Sequence, residues 1–295
     1  MSFVILTDST SDLGADLREK YDIEYVPMNY CIGENEYKAS LDWESHSPNV
    51  FYDKMRRGER ITTTQVPRDV FESAFRKYAE EGKDVLYIAC SSALSGSVNL
   101  AKSVASDVLA DHPERIILCV DSLISSLGEG YLAIKASMLR AEGKEINEVA
   151  DYINENKLKV NQFGTVDDLG YLRRAGRVKA SKAFFGNLFG VKPILISDIK
   201  GQNFAVKKAK GALNARREIA LGLKETVVDP ENQTLFISHA DSLEFANMLR
   251  DEIMKEIPFK DCYINYIAPI VGASVGPGTL IAFCVGKEVT VEGVE

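Results

Sequence analysis

Apolar and polar positions follow two different rhythms along this chain. In the first half, short runs that are almost wholly apolar, residues 3–6, 85–89 and 116–120, each lead through a polar turn into a segment with helical spacing. Such runs predict strands buried on both faces, as in a parallel sheet covered by crossover helices. Helices are expected at 14–20, 49–57, 68–81, 97–109, 127–142 and 146–156, with Gly82 and Gly143 closing two of them. Residues 23–28 read as a further strand, and 30–39 as a hairpin turning at Gly33-Glu34-Asn35.

The second half changes pattern. A strand is expected at 160–165 and a helix at 166–175. Residues 194–197 and 203–208 flank Lys200-Gly201, a hairpin signal. Helices at 209–224 and 242–256 then interleave with strands at 233–238, 261–267 and 279–285. The expected fold is α/β with two domains: an N-terminal parallel-sheet α/β domain over residues 1–160 and a C-terminal α+β domain over 161–295.

Composition narrows the function classes. Of 295 residues, 45% are hydrophobic and 26% charged, a globular balance. The formal charge of −8 argues against nonspecific nucleic-acid binding. The opening residues reach Asp8 without a basic stretch, so they read as a first strand and not as a signal peptide. Residues 264–285 are apolar but interrupted by Pro269, Gly272, Gly276, Pro277 and Gly278, against a membrane span. Five scattered cysteines without a C-x-x-C pair suit reduced thiols and a cytoplasmic setting.

Three hydroxyl-rich clusters carry the candidate chemistry: Thr7-Asp8-Ser9-Thr10-Ser11, Thr62-Thr63-Thr64-Gln65 and Ser91-Ser92-Ala93-Leu94-Ser95-Gly96-Ser97. The first and third follow expected strands and open helices, where unpaired N–H groups attract a negative charge. Helix capping accounts for one or two of these residues, but not for the whole set. No lysine lies within them, and a phosphate-binding G-x-x-x-x-G-K-[ST] loop is absent. A single carboxylate or phosphate is therefore the expected anion. The second cluster reads as a loop between two helices. No metal cluster is expected. His239, with Asp241 two residues later, invites a hydrolase or phosphotransferase reading with Asp8 and Ser95, but no G-x-S-x-G elbow accompanies it. Two basic patches stand out in an acidic chain: Arg173 and Arg174 with Arg177 and Lys179, and Lys207, Lys208 and Lys210. They are solvated helix ends, a docking surface for an acidic partner or phosphate donor, or a buried Arg173 or Arg174 tying the domains together.

Taken in order, seven segments resemble the DegV family of fatty-acid-binding proteins. They are Thr7-Asp8-Ser9-Thr10, Thr63-Thr64-Gln65, Ser92-Ala93-Leu94-Ser95-Gly96, Asp121-Ser122 with Gly128 and Gly130, Leu169 through Arg177, Gly186 through Pro193, and Gly276-Pro277-Gly278. The resemblance implies a non-enzymatic carrier with one long-chain fatty acid between its domains and no other cofactor. Thr63 and Ser95 would hold the carboxylate, with Thr64, Gly96 and Ser92 nearby and Thr7, Asp8, Ser9 and Asp121 in support. Phe163, Leu169, Leu172, Ile194 and Ile196, with Phe184, Phe185, Leu188 and Phe189, are candidates for the acyl lining or simply core. It also implies a partner, a fatty acid kinase that turns the presented carboxylate into an acyl phosphate. Two positions depart from the family pattern: Thr64 stands where Ser is common, and Ser274 where kinase-coupled members commonly carry His.

Overall fold

The computed structural model describes residues 3–179 and 190–293. Walking the chain, β1 (Phe3–Asp8), α1 (Ala15–Tyr21), β2 (Ile23–Val26), β3 (Asn29–Ile32) and β4 (Asn35–Lys38) come first. Next are α2 (Pro48–Arg56), β5 (Ile61–Thr64), α3 (Arg68–Glu80), β6 (Asp84–Ala89), α4 (Ser97–Asp111), β7 (Ile117–Asp121), α5 (Leu127–Ala141) and α6 (Ile146–Asn156). The later part holds β8 (Val160–Thr165), α7 (Leu169–Ala175), β9 (Val191–Ser197), β10 (Asn203–Lys210) and α8 (Gly211–Thr226). It ends with β11 (Thr234–His239), α9 (Leu243–Glu256), β12 (Asp261–Tyr266), α10 (Pro269–Val275) and β13 (Leu280–Val285). The chain divides into two compact units. Unit 1 comprises residues 1–45, 61–157 and 268–270; unit 2 comprises 46–60, 158–267 and 271–295.

Unit 1 is built on a parallel sheet of order β2-β1-β6-β7. Every residue of β6 is buried, and β1 is buried apart from Val4, as strands covered on both faces require. The chain leaves β1 to one side for β2, then returns to lay β6 against its other side. The strand order therefore reverses between β1 and β6. Crevices outside the carboxyl ends at such a switch point are where open α/β sheets bind ligands. The loops that emerge there are Ser9–Gly14 and Cys90–Gly96. A small antiparallel sheet, β4-β3-β5, adds Thr63 opposite Tyr30.

Unit 2 holds a six-stranded mixed sheet of order β10-β9-β8-β13-β11-β12. Helices α8 and α9 share one core with it, in which Ala215, Ile219, Leu223, Ala246, Leu249 and Ile253 are buried against Leu235, Ile237, Leu280 and Ala282. Helix α2 belongs to this unit: the Tyr52 hydroxyl donates to the Ile267 carbonyl at 2.5 Å, and Tyr171 donates to the Met55 carbonyl at 3.1 Å. Gly276 and Gly278 both have positive φ, and a Cβ at either would collide with Tyr171 or Asp167 respectively. Glycine there is a packing requirement.

The parallel-sheet α/β character of the first half and the mixed sheet with helices of the second match the expectation from pattern. Two local expectations fail. Thr62–Thr64 is strand and not loop, because pairing with β3 satisfies its backbone where local propensity offers no preference. The short helix α10 was missed because Pro269 and the glycines after it read as breakers; proline fits a first helical turn, whose N–H has no partner to lose. The expected acyl-lining residues Phe184, Phe185, Leu188 and Phe189, and part of the Gly186–Pro193 motif, lie outside the described residues. Leu169, Leu172, Ile194 and Ile196 are buried.

Helix α5 lies close to the loop after β1. A Cβ on Gly130 would stand 2.7 Å from the Ser11 carbonyl and 2.8 Å from Leu13. Gly130→Ala should therefore destabilise the protein by about 1–3 kcal/mol, the usual cost of overpacking. Urea unfolding checks this, and an unchanged midpoint would refute the close approach.

Candidate functional site

The carboxyl ends of β1, β6 and β7 carry a polar core. Thr7, Asp8, Ser9, Thr10, Ser11 and Asp12 are all at most 2% exposed, so none of them can present a side chain to solvent in this structure. Asp8 accepts from the Thr10 amide (2.9 Å), the Thr10 hydroxyl (2.6 Å), the Tyr87 hydroxyl (2.7 Å) and the Cys90 amide (3.2 Å). It thereby ties the end of β1 to the end of β6. Ser9 accepts from the Met28 amide at 2.9 Å and anchors the exit of β2.

Glu129, on the first turn of α5, reaches into the same cluster. The Thr7 hydroxyl donates to its Oε1 at 2.7 Å, and its Oε2 lies 2.6 Å from Thr10 Oγ1. Thr10 has one hydroxyl proton but faces a carboxyl oxygen on each side. One of the two carboxyl groups must therefore carry a proton and donate to Thr10. Asp8 has four donors and Glu129 has fewer, which puts the proton on Glu129. Burial drives the Glu129 carboxyl well above its usual range, reinforced by the neighbouring Asp8 charge. Burial raises Asp8 as well, but its hydrogen bonds oppose the shift. Asp12 is pushed up to about 8 by burial, against bonds from the Ser126 hydroxyl and the Ala268 amide.

In front of this core stands a turn that does expose hydroxyls. Ser91 is its hub: its carbonyl accepts from the Leu94 and Ser95 amides, and its hydroxyl accepts from the Ala93 amide. Asp121, at the end of β7, accepts from the Ser92 and Leu123 amides at 3.1 Å each. Ser95 is half-buried, while Ser92 and Gly96 are exposed. Ser95 Oγ accepts from the Ser97 amide (3.2 Å) and lies 3.0 Å from Ser97 Oγ, which in turn accepts from the Val66 amide. When Ser97 donates to Ser95, the Ser95 hydroxyl proton is left for an outside acceptor. Helix α4 begins at this point and adds its positive end.

The Val66–Ser97 bond also draws the second hydroxyl cluster to the third. The Gln65 side chain lies against Gly96, leaving no room for a Cβ there. Thr63 is half-buried on β5 and Thr64 is exposed beside it. Three clusters separated in sequence thus meet within unit 1, one buried and two facing outward. The sequence reading overlooked Glu129 and Tyr87. A glutamate inside the otherwise apolar start of α5 was the available signal for Glu129.

The remaining candidates stand apart from this chemistry. Burial lowers His239 to about 4, and its Nδ1 accepts from the Ser242 amide at 3.2 Å, so it is a neutral imidazole bound to backbone. Asp241 is taken by Arg56 at 2.6 Å, so no His–Asp couple forms. Arg173 and Arg174 are exposed, which overturns the reading of either as a buried tie; Arg174 stacks on Tyr171. Lys207, Lys208 and Lys210 are exposed, and Lys207 pairs with Glu218 at 2.5 Å. Among the described residues no group of three or more His, Cys, Asp or Glu could hold a metal ion. No described helix is long and apolar enough to cross a membrane.

A carboxyl kept neutral by burial lowers stability as pH rises above its unfolded value. For Glu129 that decline begins near 4.5, the ordinary value of a glutamate, and approaches ~1.4 kcal/mol per pH unit per proton. Glu129→Gln keeps a donor toward Thr10 and removes that share. Urea titrations from about pH 5 to 9 should show a shallower decline for the variant; parallel curves would exclude a protonated Glu129.

Comparison with known proteins gives a consistent match. Residues 2–287 match the family described as "Uncharacterised protein, DegV family". A DegV domain-containing protein of Clostridium perfringens is 36% identical over 284 residues, covering 96% of this chain and 97% of that protein. A Thermus thermophilus DegV family structure, described by its fatty acid binding, superposes with a TM-score of 0.88 at 28% identity, covering 97% of this chain and 100% of that one. DegV of Bacillus subtilis, described as a fatty acid binding protein, gives 0.82 at 28% identity, covering 97% and 99%.

Proposed function

We propose that this chain, which belongs to the DegV family, binds one long-chain fatty acid by its carboxylate at the outward-facing hydroxyls of unit 1. Ser95 and Thr63 are the direct donors in this reading, with Ser92, Thr64 and Gly96 beside them. The observation that carries it is the half-buried Ser95 hydroxyl at the start of α4, which accepts from the Ser97 amide and, when the Ser97 hydroxyl also donates to it, has its own proton for an outside anion. Similar DegV proteins of Thermus thermophilus and Bacillus subtilis are described as fatty-acid-binding.

The chemistry suits a carboxylate. It carries a single charge, which neutral hydroxyls and backbone N–H groups can satisfy without a lysine. Orientation comes from these donors, and affinity from the tail, at roughly 0.8 kcal/mol per buried methylene. Thr7, Asp8, Ser9 and Asp121 act behind the site: Asp121 fixes the Ser92 amide, and Asp8 fixes the strand ends.

The finer role is a carrier without a reaction of its own, presenting the carboxylate to a fatty acid kinase for acyl-phosphate formation in a cytoplasmic setting. The exposed cations of α7 and β10, Arg173, Arg174, Lys207, Lys208 and Lys210, are the surface proposed for that partner. Thr64 keeps the hydroxyl of the residue it replaces. Ser274, on α10, gives the site no imidazole where kinase-coupled members carry one, so transfer here would have to proceed without it.

Mass spectrometry of an organic extract of the purified protein should recover one equivalent of a long-chain fatty acid. Ser95→Ala should weaken retention about tenfold or more, as loss of a hydrogen bond to a charged group does. An empty extract, or equal lipid content in the variant, would count against the site.

A further inference from the structure

Unit 2 contains a second place suited to an anion, on the face of its sheet that α8 and α9 cover. There a cavity of about 160 Å3 is lined by Thr165, Lys192, Ala212, Arg216, Ser242 and Phe245, with Asp167, Gly278 and Leu280 completing the wall. Ala212 lies in the first turn of the 16-residue α8, and Ser242 is the N-cap residue of the 14-residue α9. Neither helix has a side-chain cap. Two helix N-termini thus converge on one space, each carrying a partial positive charge.

An independent feature points to a missing ligand. Thr165 is 6% exposed, and its hydroxyl is buried without a hydrogen-bond partner although it lines the cavity. An unpaired buried hydroxyl is costly and rare, and a bound acceptor would satisfy it. Arg216 is also buried. It reaches Glu252 only through Nε and one Nη, at 3.3 Å each, long for a charge-assisted pair, and its other Nη is not engaged by Glu252. Lys192 is held by Asp167 at 2.6 Å, so the two cations are already balanced by carboxylates. The surplus attraction therefore comes from the helix ends and the hydroxyls, which favour a compact, strongly accepting ligand.

We propose that this cavity binds a small tetrahedral oxyanion of the phosphate class, as inorganic phosphate or as the head of a small phosphate monoester. The Thr165 hydroxyl, the Arg216 guanidinium and the open turns of α8 and α9 are the donors. A volume of about 160 Å3 gives room for a phosphate with a small substituent. Ala212 and Phe245 are exposed at its edge and leave a way in.

Calorimetric titration of the full chain with inorganic phosphate, and separately with methyl phosphate at matched ionic strength, tests the site. Saturable one-to-one binding is expected. Binding of both probes assigns an ester-accepting site, and binding of inorganic phosphate alone assigns an enclosed ion site; either supports the proposal. Thr165→Val should weaken binding about tenfold without lowering thermal stability, because the hydroxyl it removes has no partner to lose. Ser95→Ala should bind phosphate as the wild type does. Absence of saturable binding up to about 10 mM, equal binding by Thr165→Val, or loss of binding in Ser95→Ala would each overturn it.

Discussion

Asp8 is the group on which unit 1 is organised. A carboxylate removed from water is costly unless every oxygen is satisfied, and here four donors converge on it, two from Thr10 just after β1, one from Tyr87 on β6 and one from Cys90 just after it. Those bonds hold the carboxyl ends of β1 and β6 together at the point where the strand order reverses. The loops that leave these ends can then present hydroxyls in fixed places. The cost of burying a second acid nearby is met differently: Glu129 stays neutral and becomes a donor.

This division explains why so many hydroxyls occur in so few residues. The buried ones complete the hydrogen bonding of strand ends, and the outward ones remain available. Backbone strain is found on the same rim: Asp12, Leu123 and Ser126 all adopt positive φ without being glycine. Each lies in a loop following β1 or β7; the Ser126 amide is held on the Thr10 carbonyl of the other loop, and the Leu123 amide on Asp121 at the end of β7. Rigid placement of short polar side chains is what orientation of a single carboxylate requires.

The strands of the parallel sheet in unit 1 were legible because burial on both faces forces continuous apolar runs, and β6 shows this from Val85 to Ala89. The hydroxyl clusters stood out because helix capping accounts for only one or two of their residues. Thr62–Thr64 was not legible as strand, since its pairing with β3 is a tertiary event. Glu129 was hidden for a related reason. A lone acid in a helix looks solvated until the partner that takes its proton, Thr10, is brought beside it from 119 residues away.

By itself the sequence determined most of the strands and helices, the presence of three hydroxyl clusters, the absence of a phosphate-binding lysine loop, and the resemblance to one family. These follow from local periodicity and residue chemistry, which need no neighbours. The tertiary structure decided which hydroxyls face inward, which acid is neutral, that Ser95 stands half-buried at the start of α4, and that the buried Thr165 hydroxyl has no hydrogen-bond partner. Those depend on distances between residues remote in the chain. Hydrogen bonds are short-ranged and directional, so only the folded arrangement could assign them.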